Sequence, residues 1–411
     1  MTGAVDRVAM VAMHTSPAEQ AGTADAGGMN VAMLATAAEL SIRGVQVDLV
    51  TRALGEPSVR ELLPGVRLIS LAAGGPGPLP RADLPKHSDE FGEALATLAR
   101  GIDSGYNLIH AHYWLSGIAA LPVCLELGIP LVQSFHTLAA MKDAAHVPGA
   151  EPEPIVRSRS VTFLANQADA IVAASSAEAT AIIDDVNGQA DRTWIVPPGV
   201  DLGLFSPRDA AASTRIRAAL GLEPTRPLVV LAGRVQPLKG HELAIRSIAE
   251  LRAMRGWAPL LVIAGETTPG DEGFEAELHE LAAALGVAGD IHFVGAVYHD
   301  RLAELLSAAH LTIMPSFTET FGLVAIESAA CGTPVIGYRT GGLSESIGEG
   351  VSGLVLSRRE PRYWATEIGN LIENDERREA LGVSARTFAE RFSWGAAATS
   401  LLGIYASVGR P

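Results

Sequence analysis

Cysteine, lysine and long apolar runs are scarce in this chain of 411 residues. Cys124 and Cys331, its two cysteines, stand too far apart in sequence to suggest a disulfide framework or a zinc site. This usage fits a reducing cytosol. No apolar run reaches the roughly 18–20 residues that cross a bilayer, and the first residues lack the pattern of a signal peptide. We therefore expect a cytoplasmic protein without a membrane partner.

Positive charge is also in short supply. The chain has 31 lysines and arginines against 46 aspartates and glutamates, which gives a formal net charge of −15. An acidic surface repels phosphate backbones, so we expect no nucleic-acid partner. Hydrophobic residues make up 48% of the chain and charged residues 19%, which excludes global disorder. The length predicts two or three domains.

Short apolar runs alternate with helical patterns in both halves of the chain. Predicted strands of the first half are Arg7–Met13, Val45–Thr51, Val66–Leu71, Leu108–Ala111, Leu131–Phe135 and Ala170–Ala174. Those of the second half are Leu228–Ala232, Leu260–Ala264, Ile291–Phe293, Leu311–Met314 and Pro334–Gly337. Because strands that alternate with helices form parallel sheets, the predicted fold class is α/β.

A Pro/Gly-rich stretch after Val196 separates the two sets of strands and predicts a hinge near residues 200–210. We predict two Rossmann-like, doubly wound domains at residues 1–207 and 208–392, which face each other across a cleft. A final helix at residues 393–411 is expected to cross back to the first domain. Ligands of such sheets bind beyond the carboxyl ends of the strands, so the loops that follow the strands hold the candidate site residues.

Two of these loops have features of anion sites. The glycine-rich loop that ends at Asn30 opens a helix, where backbone N–H groups attract anions. Its spacing fits neither a Walker loop nor a dinucleotide fingerprint, and a simple tight turn is the alternative. After Leu228–Ala232, Arg234 and Lys239 flank a second helix start and suit a diphosphate. Solvated loop charges are the alternative there.

The most specific stretch is Pro315–Glu327, in which Glu319 lies in a loop and Glu327 on the helix that Gly322 opens. Buried carboxylates need hydrogen-bond donors, and the hydroxyls of a sugar and a ribose would supply them. The alternative is a helix-dipole partner at Glu319 and an exposed helix face at Glu327. Apolar neighbours of Glu327 argue against the exposed face.

The histidines have structural alternatives. We expect His110 and His112 to point to opposite faces of a strand end and to be satisfied structural residues. A metal triad with His136 lacks a carboxylate at fitting spacing, so no metal site is predicted. Trp114 is expected in the core.

Together these segments resemble family 4 of the retaining glycosyltransferases, which have the GT-B fold. The segments that carry the resemblance in the second domain are Gly233–Gly240, Pro315–Glu327, Cys331–Val335 and Gly341–Leu343. Those in the first domain are His14–Pro17, Gly27–Asn30, Thr51–Ala53, His110–Gly117 and His136–Lys142. The first-domain segments look like the branch of the family that glycosylates inositol 3-phosphate in mycothiol biosynthesis.

The resemblance implies transfer of N-acetylglucosamine from UDP-N-acetylglucosamine to 1D-myo-inositol 3-phosphate. It implies no required cofactor beyond the nucleotide-sugar co-substrate; Mg²⁺ is compatible with such a site but not essential, and no Asp-x-Asp motif is present. A homodimer is compatible with the resemblance. A different small acceptor of secondary metabolism, a nucleotide-sugar epimerase of the same architecture and a non-catalytic binding protein are the alternatives.

The resemblance also implies site residues. Donor-binding positions are Gly28, Arg234, Lys239, Glu319, Thr320, Phe321, Gly322, Leu323 and Glu327. Acceptor-binding positions are His14, Asp25, Asn30, Arg81, Tyr113, Thr137 and Arg157. Catalytic positions are Arg234, Lys239, His136 and Glu319. Arg81 replaces a lysine of the family, and Gly265-Glu266-Thr267 departs from the family's glycine-rich turn, which leaves donor contacts there open.

Overall fold

The computed structural model describes residues 5–20, 27–148, 151–268 and 271–408. Its first half forms a sheet of eight strands in the order β3-β4-β2-β1-β5-β6-β7-β8. The strands are β1 (Arg7–Ala12), β2 (Gln46–Arg52), β3 (Ser58–Leu63), β4 (Val66–Leu71), β5 (Leu108–His112), β6 (Leu131–Ser134), β7 (Ala170–Ala173) and β8 (Thr193–Ile195). All pairs are parallel except β3 with β4.

The second half forms a fully parallel sheet of six strands in the order β11-β10-β9-β12-β13-β14. These strands are β9 (Leu228–Ala232), β10 (Leu260–Ala264), β11 (Ile291–Phe293), β12 (Leu311–Met314), β13 (Val335–Tyr338) and β14 (Gly353–Leu356). Two α/β sheets were therefore predicted correctly.

Helices connect the strands and cover both faces of each sheet. In the first half they are α1 (Gly28–Ile42), α2 (Ser88–Arg100), α3 (Trp114–Leu127), α4 (Ala139–Ala144), α5 (Ile155–Gln167) and α6 (Ser176–Asp184). In the second they are α7 (Ala210–Ala219), α8 (His241–Arg255), α9 (Glu272–Ala284), α10 (His299–Ala308), α11 (Leu323–Ala330), α12 (Leu343–Ser346), α13 (Pro361–Glu373), α14 (Asp375–Ala389) and α15 (Trp394–Val408). None of the helices in the described residues is long and apolar enough to span a bilayer.

Burial on both faces explains why the central strands are continuous apolar runs. On β1, for example, Val8 to Ala12 are all completely buried, and alternate residues belong to separate clusters above and below the sheet. In the second half, alternate residues of β9 likewise belong to two separate clusters on the two faces of the sheet. Parallel sheets covered by helices produce this pattern, and it is the signal that made both sheets readable.

The final helix α15 crosses back to the first sheet, as predicted. Its apolar residues Leu401 and Tyr405 pack into the cluster beneath β1 and against α1. This helix therefore packs residues that follow the second sheet against the first half of the molecule. Trp114, expected in the core, is also buried in the first half.

The sequence analysis missed three strands, β3, β8 and β14. Strand β3 is almost entirely exposed and β8 has three residues, so neither contains a buried apolar run. Both lie at the edges of the first sheet, where one side of the strand has no partner strand. Their place in the sheet is decided by pairing with a neighbour rather than by their own pattern.

Candidate active site

The carboxyl ends of both sheets open onto one cavity of about 400 Å³. First-half loops after β1, β6 and β7 line one side, and second-half loops after β9, β10 and β12 line the other. The cavity-lining residues include these predicted positions: His14, Gly28, Arg81, Tyr113, His136, Thr137, Arg234, Lys239, Glu319, Thr320, Phe321, Gly322, Leu323 and Glu327. Gly265, at the turn that departs from the family, also lines it.

Lys239 and Glu319 contact each other across the second-half side of the cavity. Lys239 Nζ donates to Glu319 Oε1 at 2.5 Å, and Ser316 Oγ donates to the same oxygen at 2.8 Å. Lys239 follows β9 and Glu319 follows β12, and these strands are neighbours in the sheet. The pair thus fixes a cation and a carboxylate side by side where a charged, hydroxyl-bearing ligand would lie.

Helix α11 begins at this point because Gly322 occupies the left-handed region, with φ of 93°. A Cβ at Gly322 would also lie 2.5 Å from Leu343 Cδ2, so a larger residue would displace the turn. From the opposite side, Gly28 opens α1, and a Cβ there would lie 3.0 Å from Leu323 Cδ1. The two halves therefore approach closely at the starts of two helices.

Glu327 and Glu178 are buried carboxyl groups that line the cavity. Burial raises the pKa of each to about 7. Glu327 Oε1 lies 3.9 Å from His299 Nε2. Glu178 Oε2 accepts a hydrogen bond from the Ala174 N–H, whereas its Oε1 has no partner within the described residues. The sequence analysis missed Glu178, since its position in the first turn of α6 looks like a helix cap.

A cluster of cations lies at the first-half end of the cavity. Lys142 Nζ and Arg157 Nη1 each lie 2.7 Å from an oxygen of Glu153. Arg157 Nη2 also donates to Thr137 Oγ1 at 2.8 Å, and its guanidinium lies 5.2 Å from the centre of the Tyr113 ring. Residues 137 and 157, predicted to share a ligand, are therefore in direct contact.

Arg81 and Lys142 complete this cluster. Burial lowers the pKa of Lys142, and the positive charges of Arg157 and Arg81 lower it further. The carboxylate of Glu153 acts in the opposite direction. Burial opposes ionisation of Glu153, yet Arg157 and Lys142 hold its pKa below the ordinary value. The sequence analysis assigned no role to Lys142 or Glu153, because nothing in their spacing shows that they meet.

Three acceptor-binding predictions have different outcomes. His14 lines the cavity next to Tyr113, with ring centres 4.3 Å apart, and burial lowers its pKa to about 3. Asn30 is not among the cavity-lining residues of the described chain: its amide donates to Thr15 Oγ1 and the Ser16 carbonyl, and its Oδ1 accepts from the Gly27 N–H. It holds the turn before α1. Asp25 lies outside the described residues.

The expectation that His110 and His112 point to opposite faces is wrong. Their ring centres are 4.1 Å apart, because residues two apart on a strand share a face. His112 Nδ1 lies 2.8 Å from His136 Nε2, and His110 Nδ1 lies 2.6 Å from the Tyr405 hydroxyl. Burial lowers the pKa of His136 to about 4 and that of His110 to about 3, so these rings are neutral at pH 7.

The described residues contain no group of three or more histidine, cysteine, aspartate or glutamate side chains arranged to hold a metal ion. The charged groups of the cavity are instead organised as ion pairs and cation clusters.

Two family models match the chain in succession. Residues 26–204 match the model described as Glycosyltransferase Family 4, and residues 212–388 match the model described as Glycosyl transferases group 1. D-inositol 3-phosphate glycosyltransferase of Nocardia farcinica is 40% identical over 98% of this chain and 89% of its own length. The enzyme of the same name from Acidothermus cellulolyticus is 40% identical over 97% of this chain and 90% of its own length.

Solved structures give the same picture of the fold. Sucrose-phosphate synthase from Thermosynechococcus elongatus superposes with a TM-score of 0.89 at 28% identity, over 98% of each chain. Anabaena HepE, solved in complex with UDP and glucose, superposes with a TM-score of 0.79 at 20% identity, over 98% of this chain and 100% of its own. The two sheets and the cleft between them are thus the arrangement of known GT-B proteins.

Proposed function

Because this chain belongs to family 4 of the retaining glycosyltransferases, we propose that it transfers N-acetylglucosamine from UDP-N-acetylglucosamine to 1D-myo-inositol 3-phosphate. Relatives 40% identical over nearly the whole chain are named for an inositol 3-phosphate acceptor. A structural neighbour holds UDP and glucose, which supports a nucleotide-sugar donor. The reaction would begin mycothiol synthesis.

The charge balance at the first-half end of the cavity carries the acceptor proposal. Arg81 and Lys142 line the cavity, and Arg157 contacts Glu153 and Thr137 without being among the described lining residues. With the single negative charge of Glu153, these four side chains have a net charge of about +2 at neutral pH. A phosphate monoester carries close to two negative charges at pH 7. Thr137 adds a hydroxyl donor in the same place. The cluster therefore complements a phosphate group on a small acceptor.

We assign the donor to the second half of the cavity, residues 208–392, and the acceptor to residues 1–207, with α15 supporting the acceptor half. Arg234, Lys239 and the start of α1 at Gly28 would neutralise the diphosphate. Glu327 would accept hydrogen bonds from the ribose hydroxyls. These would replace the hydrogen bonds to water that the carboxyl loses on burial. Glu319 would accept a hydrogen bond from a hydroxyl of the sugar beside its contact with Lys239.

In the proposed reaction, the bond from the anomeric carbon to the diphosphate oxygen breaks, and the acceptor oxygen forms the new bond on the same face of the sugar. The acceptor proton passes to the departing diphosphate. Cations that stabilise the developing charge on the leaving oxygen supply most of the acceleration. Burial lowers the pKa of His136 to about 4, and we assign this neutral ring to orienting the sugar.

A mass-spectrometric screen tests this function. The protein would be incubated with UDP- or GDP-linked hexoses and with myo-inositol or 1D-myo-inositol 3-phosphate, in the presence of either Mg²⁺ or EDTA. We expect a glycosylated inositol phosphate from UDP-N-acetylglucosamine, with turnover that survives EDTA. Normal donor binding without any inositol product would refute the acceptor and favour another small acceptor. Conversion of the donor to an epimer of the same mass without an acceptor, resolved by chromatography before mass spectrometry, would indicate an epimerase. Light scattering of the same sample tests whether the protein forms the homodimer with which the resemblance is compatible.

A further inference from the structure

The loop that would hold the donor sugar contacts the first half of the molecule directly, at residues distinct from the catalytic charges. Thr320 Oγ1 donates to the His136 carbonyl at 2.6 Å, and the Thr320 carbonyl accepts from Ser175 Oγ at 2.6 Å. Thr320 thereby joins the loop after β12 to the loops after β6 and β7. We propose that Thr320 and Glu345 are positioning residues that align the acceptor loop with the donor loop across the cleft.

His136 explains why such a contact matters. It has φ of 61°, in the left-handed region that costs energy for a residue with a Cβ. Its carbonyl accepts the hydrogen bond from Thr320, and the next residue, Thr137, faces the proposed acceptor phosphate. A hydrogen bond at the His136 carbonyl therefore fixes the backbone that presents Thr137. Without it, the strained backbone would be free to relax.

Glu345 supplies a second contact across the cleft. Its carboxylate accepts from the backbone N–H groups of Ser176 at 3.0 Å and of Ala177 at 3.3 Å, in the first turn of α6. The negative charge of a carboxylate at a helix N-terminus is stabilised both by these N–H donors and by the helix dipole. This contact holds α12 of the second half against α6 of the first half.

The two contacts belong to one connected unit. A Cβ added at Gly341 would overlap the Glu319 carbonyl, and one added at Gly342 would overlap the Thr320 carbonyl. The Gly341-Gly342 turn is therefore packed directly beneath the loop that holds Glu319, and α12 follows it without a break. Glu345 on α12 cannot leave α6 without moving this turn. The contact of α12 with α6 and the position of the donor loop are thus mechanically linked.

The proposal rests on the assignment of donor and acceptor to opposite sides of the cavity, and its test uses two independent readouts. The variants are E345A, E345Q, T320V and T320S. Glu349 provides a matched control, because it is an exposed carboxylate of the same region that pairs with Arg339 of its own half. Circular dichroism at rising temperature would establish that each variant is folded.

Transfer kinetics are the first readout. Loss of a hydrogen bond to a charged group commonly costs about tenfold, so E345A should lower kcat/KM about tenfold. E345Q should lower it less because it keeps one acceptor oxygen, and E349A should leave it unchanged. T320V should raise the KM for the acceptor or lower kcat while sparing the KM for the donor, and T320S should restore activity because it keeps the hydroxyl. Equal activity of T320S and T320V would overturn the role of Thr320.

Small-angle X-ray scattering with UDP is the second readout. We expect the UDP-saturated parent and E349A to have the same radius of gyration and E345A to have a larger one. An unchanged radius and unchanged turnover in E345A would overturn the role of Glu345. If no inositol acceptor is used by the parent, the proposed function fails, but scattering with UDP still decides whether Glu345 holds the cleft closed.

Discussion

Lys142 should contribute selectively to the use of a phosphorylated acceptor. The variant K142A removes one of the three cations of the cluster, of which Lys142 and Arg157 contact Glu153, and reduces the net charge of the four side chains from about +2 to about +1. A hydrogen bond to a charged group is worth roughly 1.5–3 kcal/mol. Because Lys142 shares its charge with Glu153 and its side chain is 24% exposed, the lower end, about 1.5 kcal/mol, applies. This corresponds to about a tenfold change.

The assay is kcat/KM for 1D-myo-inositol 3-phosphate and for free myo-inositol. We expect K142A to lower the first value about tenfold and to leave the second nearly unchanged. Lys86, which is exposed and pairs with Asp83, provides the matched control K86A. The double variant K142A/E153Q restores the net charge and should recover part of the lost preference. Equal losses for both acceptors in K142A, or no recovery in the double variant, would refute the charge argument.

Three further predictions concern the other charged groups of the cavity. K239A should lower kcat about 10²–10³-fold, measured as UDP release, because it removes a donor to the leaving diphosphate; near-normal turnover would contradict that role. By calorimetry, Glu327→Ala should weaken UDP binding, whereas Glu319→Ala should weaken the intact sugar donor and spare UDP, and equal losses would remove the distinction. Burial raises the pKa of Glu178 to about 7, so its stabilising contribution is complete below about pH 4.5 and is lost as the pH rises through 7. The variant E178Q cannot ionise and should show a smaller fall in Tm than the parent between pH 5 and pH 8; an equal fall would argue against a buried, titrating carboxyl.

Of the two buried carboxyl groups of the cavity, Glu327 was predicted from a sequence motif and Glu178 was not. Glu327 was recognised because it stands at a fixed distance from Glu319 within one continuous segment. Glu178 has no such context, because its local pattern is that of a residue capping α6. Its place in the cavity wall, with one oxygen to which no described residue donates a hydrogen bond, is apparent only from the tertiary structure. Asn30 holds its own loop by hydrogen bonds to Thr15 and Ser16, a role that its motif did not indicate, and its contact with an acceptor stays a prediction.

By itself, the sequence determined the parallel strands at the centre of both sheets, the helix that returns to the first sheet and the loops that hold the charged side chains of the cavity. Burial of both faces of a strand leaves a run of apolar residues, and a helix start leaves glycines and polar caps, so these features are local. The edge strands β3 and β8 and the ion pairs of the cavity were decided by tertiary structure. Lys239 and Glu319 are 80 residues apart, and Thr320 and His136 are 184 apart. Contacts at such separations depend on which strands become neighbours and on how the two halves meet. A short-range pattern in the sequence therefore does not predict them.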